Sequence, residues 1–401
     1  MSKSLFWVLA CIVICTPVFA YNFSGGSGTL NDPYLIANAE DMVCISLDPF
    51  NMSKSFKLVA DIDLSGYSDS YIPIGSAGYP FEGHFNGDYY TVSNLTLSSI
   101  GEDYVGVFGY QGHQGQIWNL NLDNIQISTQ ESIYVAAVAG FSSGLIAKCN
   151  VSGSNISGSS GVAGIAGYND GEIKYCNVDT TEVTGEAGVG GIAGHSSTGY
   201  IYYCTASVVL NGGDFVGGIA GAQDQLSVID YCSCSVSING QESVGGIVGL
   251  NTYSTVSNSS STGFVAGTLY TGGIAGYNLG DLLSSTTDVD VSGGNYVGGI
   301  AGYNKFGKIL TTTTYGIVTG DQNVDMFVGA NIGGIFISEQ AAFDYSDFDE
   351  SGIVDFDDLM IFLEDWLASG SDLQADMIGG DDFVDFADFA LFAGQWLVSS
   401  D

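Results

Sequence analysis

A parallel β-helix followed by a small helical domain is what this 401-residue sequence predicts, and three observations predict it. The pentad GGIAG recurs at Gly190–Gly194, Gly217–Gly221, Gly272–Gly276 and Gly298–Gly302. Looser copies end at Gly109, Gly140, Gly167, Gly249 and Gly329, so the last glycines fall at equal steps from Gly140 to Gly221 and at nearly the same step from there to Gly329. A fixed period in this range marks a supersecondary unit that stacks on its neighbours. Within a period such as Gly161–Ala187, short runs of Val, Ile, Tyr, Thr and Cys alternate with Gly, Asn, Asp and Ser, the signature of strands and turns. Composition then changes abruptly: residues 341–401 hold 16 acids and no lysine.

Three short strands with three turns occupy a period, so each period is one coil, with every strand pairing to its equivalent one coil on at roughly 4.8 Å. The columns support stacking. Two places after the anchor glycines stand Gln111, Ser142, Asn169, Ser196, Gln223, Asn251, Asn278, Asn304 and Asn331, amides and hydroxyls that can bond along the stack as a ladder. Directly after the glycines are Tyr110, Phe141, Tyr168, His195, Tyr277 and Tyr303, interrupted by Ala222, Leu250 and Ala330. These rings read as a structural stack along one edge, with a sugar-binding strip as the alternative.

In chain order, residues 1–20 have Lys3, an apolar run from Leu5 to Cys15 and small residues before Tyr21, the pattern of a cleaved secretory signal. The run is too short to span a bilayer, and no other segment approaches a transmembrane helix. Residues 21–103 precede the regular array; they are expected to hold an N-terminal cap and the first coils, with Asn38–Leu47 as a helix over the end of the rod. The regular repeats run over 104–338.

Net charge is −37, with seven lysines and no arginine, so nucleic acid and anionic lipid are poor partners, because binding phosphate needs a cationic surface. Cys149, Cys176, Cys204 and Cys232 fall at closely similar distances after Gly140, Gly167, Gly194 and Gly221 and therefore share a column. A buried reduced ladder, one or two disulfides, or a metal site are open to them; parallel in-register side chains suit the first best.

The succession from Gly25 to Leu97, followed by copies of VGGIAGYN and cysteine-bearing strands, resembles bacterial exported proteins with GLUG repeats over about Asn22–Ile337. The resemblance implies a right-handed β-helix outside the cell, often joined to other modules, and brings no defined activity.

Residues 341–401 contain an internal repeat, Val354–Leu367 and Val384–Leu397, with Phe356, Leu359, Phe362, Leu363 and Trp366 at helical intervals. In front of the first copy Asp347, Asp349, Ser351, the carbonyl of Ile353, Asp355 and Asp358 take positions 1, 3, 5, 7, 9 and 12 of a calcium loop, with Gly352 at the sharp turn. The second loop offers Asp376, Asp381, Asp385 and Asp388, and is one residue longer if Asp376 is its first ligand. Paired loops, each followed by a helix ending in Trp-Leu, resemble a type I-like dockerin module over Asp344–Leu397. That resemblance implies two Ca2+ ions and a cohesin-like or other scaffold partner. Type I dockerins often carry Ser or Thr at loop positions 10 and 11, where this chain has Phe356, Asp357, Phe386 and Ala387.

The functional expectation is an exported, non-catalytic attachment protein, with a polysaccharide ligand possible along the rod. The alternative is a polysaccharide-degrading enzyme delivered by its tail. Against catalysis, elimination on uronates usually needs a cationic base or clamp, a hydrolase needs two convergent carboxylates, and His84, His113 and His195 have no matching partner spacing.

Overall fold

The computed structural model describes residues 22–68, 70–98, 103–129 and 131–337. The signal-like residues 1–20 and the whole acidic segment 341–401 lie outside them. Within this range the chain is a parallel β-solenoid with three sheets running along its length.

Twelve strands, from Tyr34–Ile36 to Ile335–Ile337, form the first sheet. The third has nine, from Phe108–Gln111 to Val328–Ile332, and each contains one of the nine anchor glycines. Eleven steps of strand spacing give the first sheet a length of about 50 Å. Apart from a one-residue bulge at Asp179–Thr181, register is kept from coil to coil because one face of every strand is buried, and an uncompensated slip would turn the whole apolar set outward. In the first sheet a single inward column runs from Phe56 through Phe85, Ile117, Ile146, Ile173, Ile201, Ile229, Val256 and Leu282 to Ile309, none more than 1% exposed. Burying a side chain of this size stabilises by roughly 1.5–3 kcal/mol.

One expectation is modified. The strands of the second sheet are not always short: Asn177–Gly190, Thr205–Gly217, Ser260–Gly272 and Thr286–Gly298 each run for 13 or 14 residues. Their interiors carry Gly185, Gly212, Gly267 and Gly293, and interior glycine is where a strand can bend and keep its pairing.

The N-terminal end is covered. A helix forms at Ala39–Cys44, inside the expected stretch, because the Asn38 side chain caps it by accepting from the Asp41 amide at 2.9 Å. Its apolar side places Met42 and the following Ile45 fully inside the core.

Candidate functional site

Four columns carry the polar and aromatic side chains of the rod. The first is the amide ladder, and the structure forms it. Ser142 donates to Gln111 Oε1 at 2.7 Å and Asn169 Nδ2 to Ser196 Oγ at 3.1 Å. From Gln223 the bonds are continuous: Nε2 to Asn251 Oδ1 at 2.8 Å, then Asn251 to Asn278, Asn278 to Asn304 and Asn304 to Asn331 at 2.7, 2.7 and 2.9 Å. All except Asn331 are completely buried, so the ladder is interior and unavailable to a ligand.

The ring column also forms, in two blocks. Tyr110, Phe141, Tyr168 and His195 stack with centroids 4.2–5.2 Å apart, and Tyr277 stacks on Tyr303 at 5.0 Å. Tyr104 and Tyr134 flank the first block, Tyr270 and Tyr296 the second, all four in left-handed backbone conformation. Burial within the stacks raises the phenols of Tyr110, Tyr134, Tyr270 and Tyr277 above their ordinary value, with neighbouring tyrosines adding to it at all four and carboxylates at the first three. Where the ring column breaks, His195 Nε2 meets Asp224 Oδ2 at 3.2 Å, and the Thr198 hydroxyl bonds Asp170 nearby. Sequence spacing did not suggest this pair, since only the coil register brings His195 and Asp224 together.

The third column is the thiol ladder. Cys149, Cys176, Cys204 and Cys232 are buried and unbridged, the reduced form that parallel register favours. Each Sγ donates to the carbonyl two places earlier and to one in the preceding coil, at 3.3–3.9 Å. The position continues as Ser259, Ser285 and Thr312, whose hydroxyls donate to the equivalent carbonyl at 2.7–3.1 Å. This continuation keeps closely similar distances after Gly249, Gly276 and Gly302, and it is visible in the spacing once a small buried donor, rather than cysteine itself, is taken as the requirement.

Burial holds the thiols of Cys149, Cys204 and Cys234 above the usual range. An acid whose folded pKa is raised keeps its proton in the native state after the unfolded chain has lost it, so stability falls with rising pH. The loss starts near the unfolded thiol value of about 8.5 and reaches about 1.4 kcal/mol per pH unit per thiol. Urea titrations from pH 7 to 10 should show this decline together with Cys149, Cys176, Cys204, Cys232 and Cys234 inert to alkylation in the native state, unlike the half-buried Cys44; flat stability and rapid alkylation of those five would refute it.

The fourth column was not anticipated. Tyr175, Tyr203 and Tyr231 stand on an exposed corner immediately before Cys176, Cys204 and Cys232, stacked at 5.2 and 5.1 Å with planes within 9°. Beside them the outer face of the second sheet carries a shallow groove of about 290 Å3 bordered by Thr205, Ser207, Ser233, Ser235, Ser260 and Thr262. The ladder offers ring edges and hydroxyls outward, since the ring faces cover one another.

All ten residues expected to hold metal, Asp347, Asp349, Ser351, Ile353, Asp355, Asp358, Asp376, Asp381, Asp385 and Asp388, lie outside the described residues. Among the described residues no group of three or more His, Cys, Asp or Glu side chains gathers to hold a metal, and no helix is long and apolar enough to cross a membrane.

Residues 240–265 match the GLUG motif; the stretch runs from the second sheet through the third and the first and back into the second, so the match spans one coil of the rod. A candidate Gly-rich membrane protein of Evansella cellulosilytica is 34% identical over 134 residues, covering 32% of this chain and 15% of the relative. Halomucin of Haloquadratum walsbyi is 32% identical over 139 residues, 32% of this chain and 2% of the relative. The similarity thus spans a small part of either curated relative. A crystal structure of a candidate immunoglobulin A1 protease from Bacteroides ovatus aligns with 80% of this chain and 89% of its own, at 21% identity and a TM-score of 0.44.

Proposed function

We propose that the chain is an exported attachment protein whose β-helix acts as a spacer and display surface, and whose segment 341–401 is a calcium-dependent, dockerin-like plug. The right-handed winding, the cell-surface setting and the cohesin-like partner implied by the resemblances belong to this reading. The observation that carries it is the coil-to-coil pairing that the described strands keep from Tyr34 to Ile337. A stack in which each coil contacts only its neighbours gives length and a repeating lateral surface without requiring a pocket. The name of the Evansella relative, a membrane protein, supports a setting at a membrane or cell surface.

Calcium supplies the switch in this reading, because six oxygen donors converge only when a cation offsets their repulsion. The full chain, used as bait against cohesin-like modules and purified envelope proteins, should capture one defined partner in calcium. Capture should fall at least tenfold with chelator and in the Asp347→Ala/Asp349→Ala chain, whose calcium affinity should drop in parallel. Capture indifferent to both changes would defeat the docking reading.

A further inference from the structure

The two ends of the rod are unlike. At the N-terminal end the helix Ala39–Cys44 covers the first coils. At the other end the last described coil presents core positions to the outside. Val324 continues the column Val135, Val162, Val189, Val216, Val244, Thr271 and Val297, every one of them 0% exposed, and is itself 41% exposed. Phe336 follows Ile309, and Val318 follows Val291, and both are half-buried where their predecessors are buried. Phe327 and Phe336 lie against each other at 5.6 Å and complete an apolar plateau. The strands Val318–Asp325, Val328–Ile332 and Ile335–Ile337 pair with the preceding coil only, so among the described residues their other edges are open. An open edge backed by apolar side chains is the arrangement that proteins cover or pair.

We propose that the stretch Val354–Leu367 of this same chain lies across the plateau and closes the rod. Three observations favour it over other occupants. Residues 338–353 separate the stretch from the last strand, enough chain to reach any point of the end face. It carries Phe356, Leu359, Phe362, Leu363 and Trp366 at helical intervals, a one-sided apolar face of the kind that the N-terminal helix already uses. Charge contributes from the coil beneath: Lys305 and Lys308 stand there without an ion pair among the described residues and can meet part of the 16 acids of residues 341–401, while Asp321 and Asp325 of the last coil are exposed and add negative charge. The inference does not depend on the docking reading, since it concerns the inner side of the tail and not its partner.

Deuterium exchange on the full chain in calcium tests it by reading each change from the opposite surface. Val324→Asp, at a position already exposed in the rod, should raise exchange across Val354–Leu367 at least tenfold. Leu359→Asp/Trp366→Asp should raise it at least tenfold across residues 318–337 and leave residues 193–310 unchanged. Failure of either variant to affect the opposite surface overturns the proposal, and so does fast exchange of Val354–Leu367 in the unaltered chain. Protection of 318–337 that grows with protein concentration and survives the tail variant would assign the end to a second copy instead.

Discussion

Gly221→Ala should destabilise the rod by about 3 kcal/mol, although it adds a single methyl group. A Cβ on Gly221 would sit 2.5 Å from Gly188 C and Val189 N and 2.6 Å from Gly194 O, whereas carbon contacts are comfortable at about 3.5–4.0 Å. All three atoms are backbone, so no side chain can rotate away and two coils must part. The same approach recurs at Gly167, Gly194, Gly249, Gly276, Gly302 and Gly329, each of which packs on the left-handed corner of a preceding coil. Steric contact, not a special backbone angle, thus explains why the anchor is glycine nine times. Gly188 supplies the control. It has φ of +64° but no heavy atom nearer than 3.4 Å to its added Cβ, and Tyr134, Phe215 and Ser243 fill the equivalent corner in other coils. Gly188→Asn should therefore cost about 1 kcal/mol or less. Urea midpoints measured with local amide exchange would decide, because a repeat array need not unfold in one step. Equal costs at the two positions would show that conformation and not packing governs the anchor.

The parts of this fold that the sequence reveals are those in which the same coil position demands the same chemistry every time. The anchor glycines, the amide column from Gln111 to Asn331 and the thiol column are of this kind, and each forms in the expected place. Where a position tolerates several residue types, periodicity fades. The donor under the corner passes from Cys232 to Ser259 without a change of role, and the first coils, from Tyr34 onward, belong to the first sheet although their spacing is irregular. Features that arise from juxtaposition are harder still. His195 and Asp224 meet because Asp224 stands in the next coil two places after Ala222, the register partner of His195, and the Tyr175–Tyr203–Tyr231 corner depends on left-handed backbone that tyrosine rarely signals. The ten metal-loop residues remain a reading of register alone, since Asp347 through Asp388 lie outside the described residues.

Asn251→Leu should also cost about 3 kcal/mol, chiefly for the opposite reason: the branched shape is kept and hydrogen bonds are lost. Asn251 accepts from Gln223 Nε2 at 2.8 Å and donates to Asn278 Oδ1 at 2.7 Å, and all three residues are completely buried. Leucine leaves the Gln223 donor stranded without water, and an unsatisfied buried donor costs about 1–3 kcal/mol in addition to the bonds themselves. Asn278 Oδ1 is spared the full penalty because the Gly280 amide still reaches it at 3.3 Å. Asn251→Ser should be milder, about 1 kcal/mol, because Ser196 fills the same position and accepts from Asn169 Nδ2 at 3.1 Å. Direction of loss matters for the rod as a whole: the bonds from Gln223 to Asn304 form one chain, so exchange should rise in the coils on both sides of position 251 and not in that coil alone. If leucine is as well tolerated as serine, the ladder is a passenger of apolar packing, and coil register must be ascribed to the Ile and Val columns.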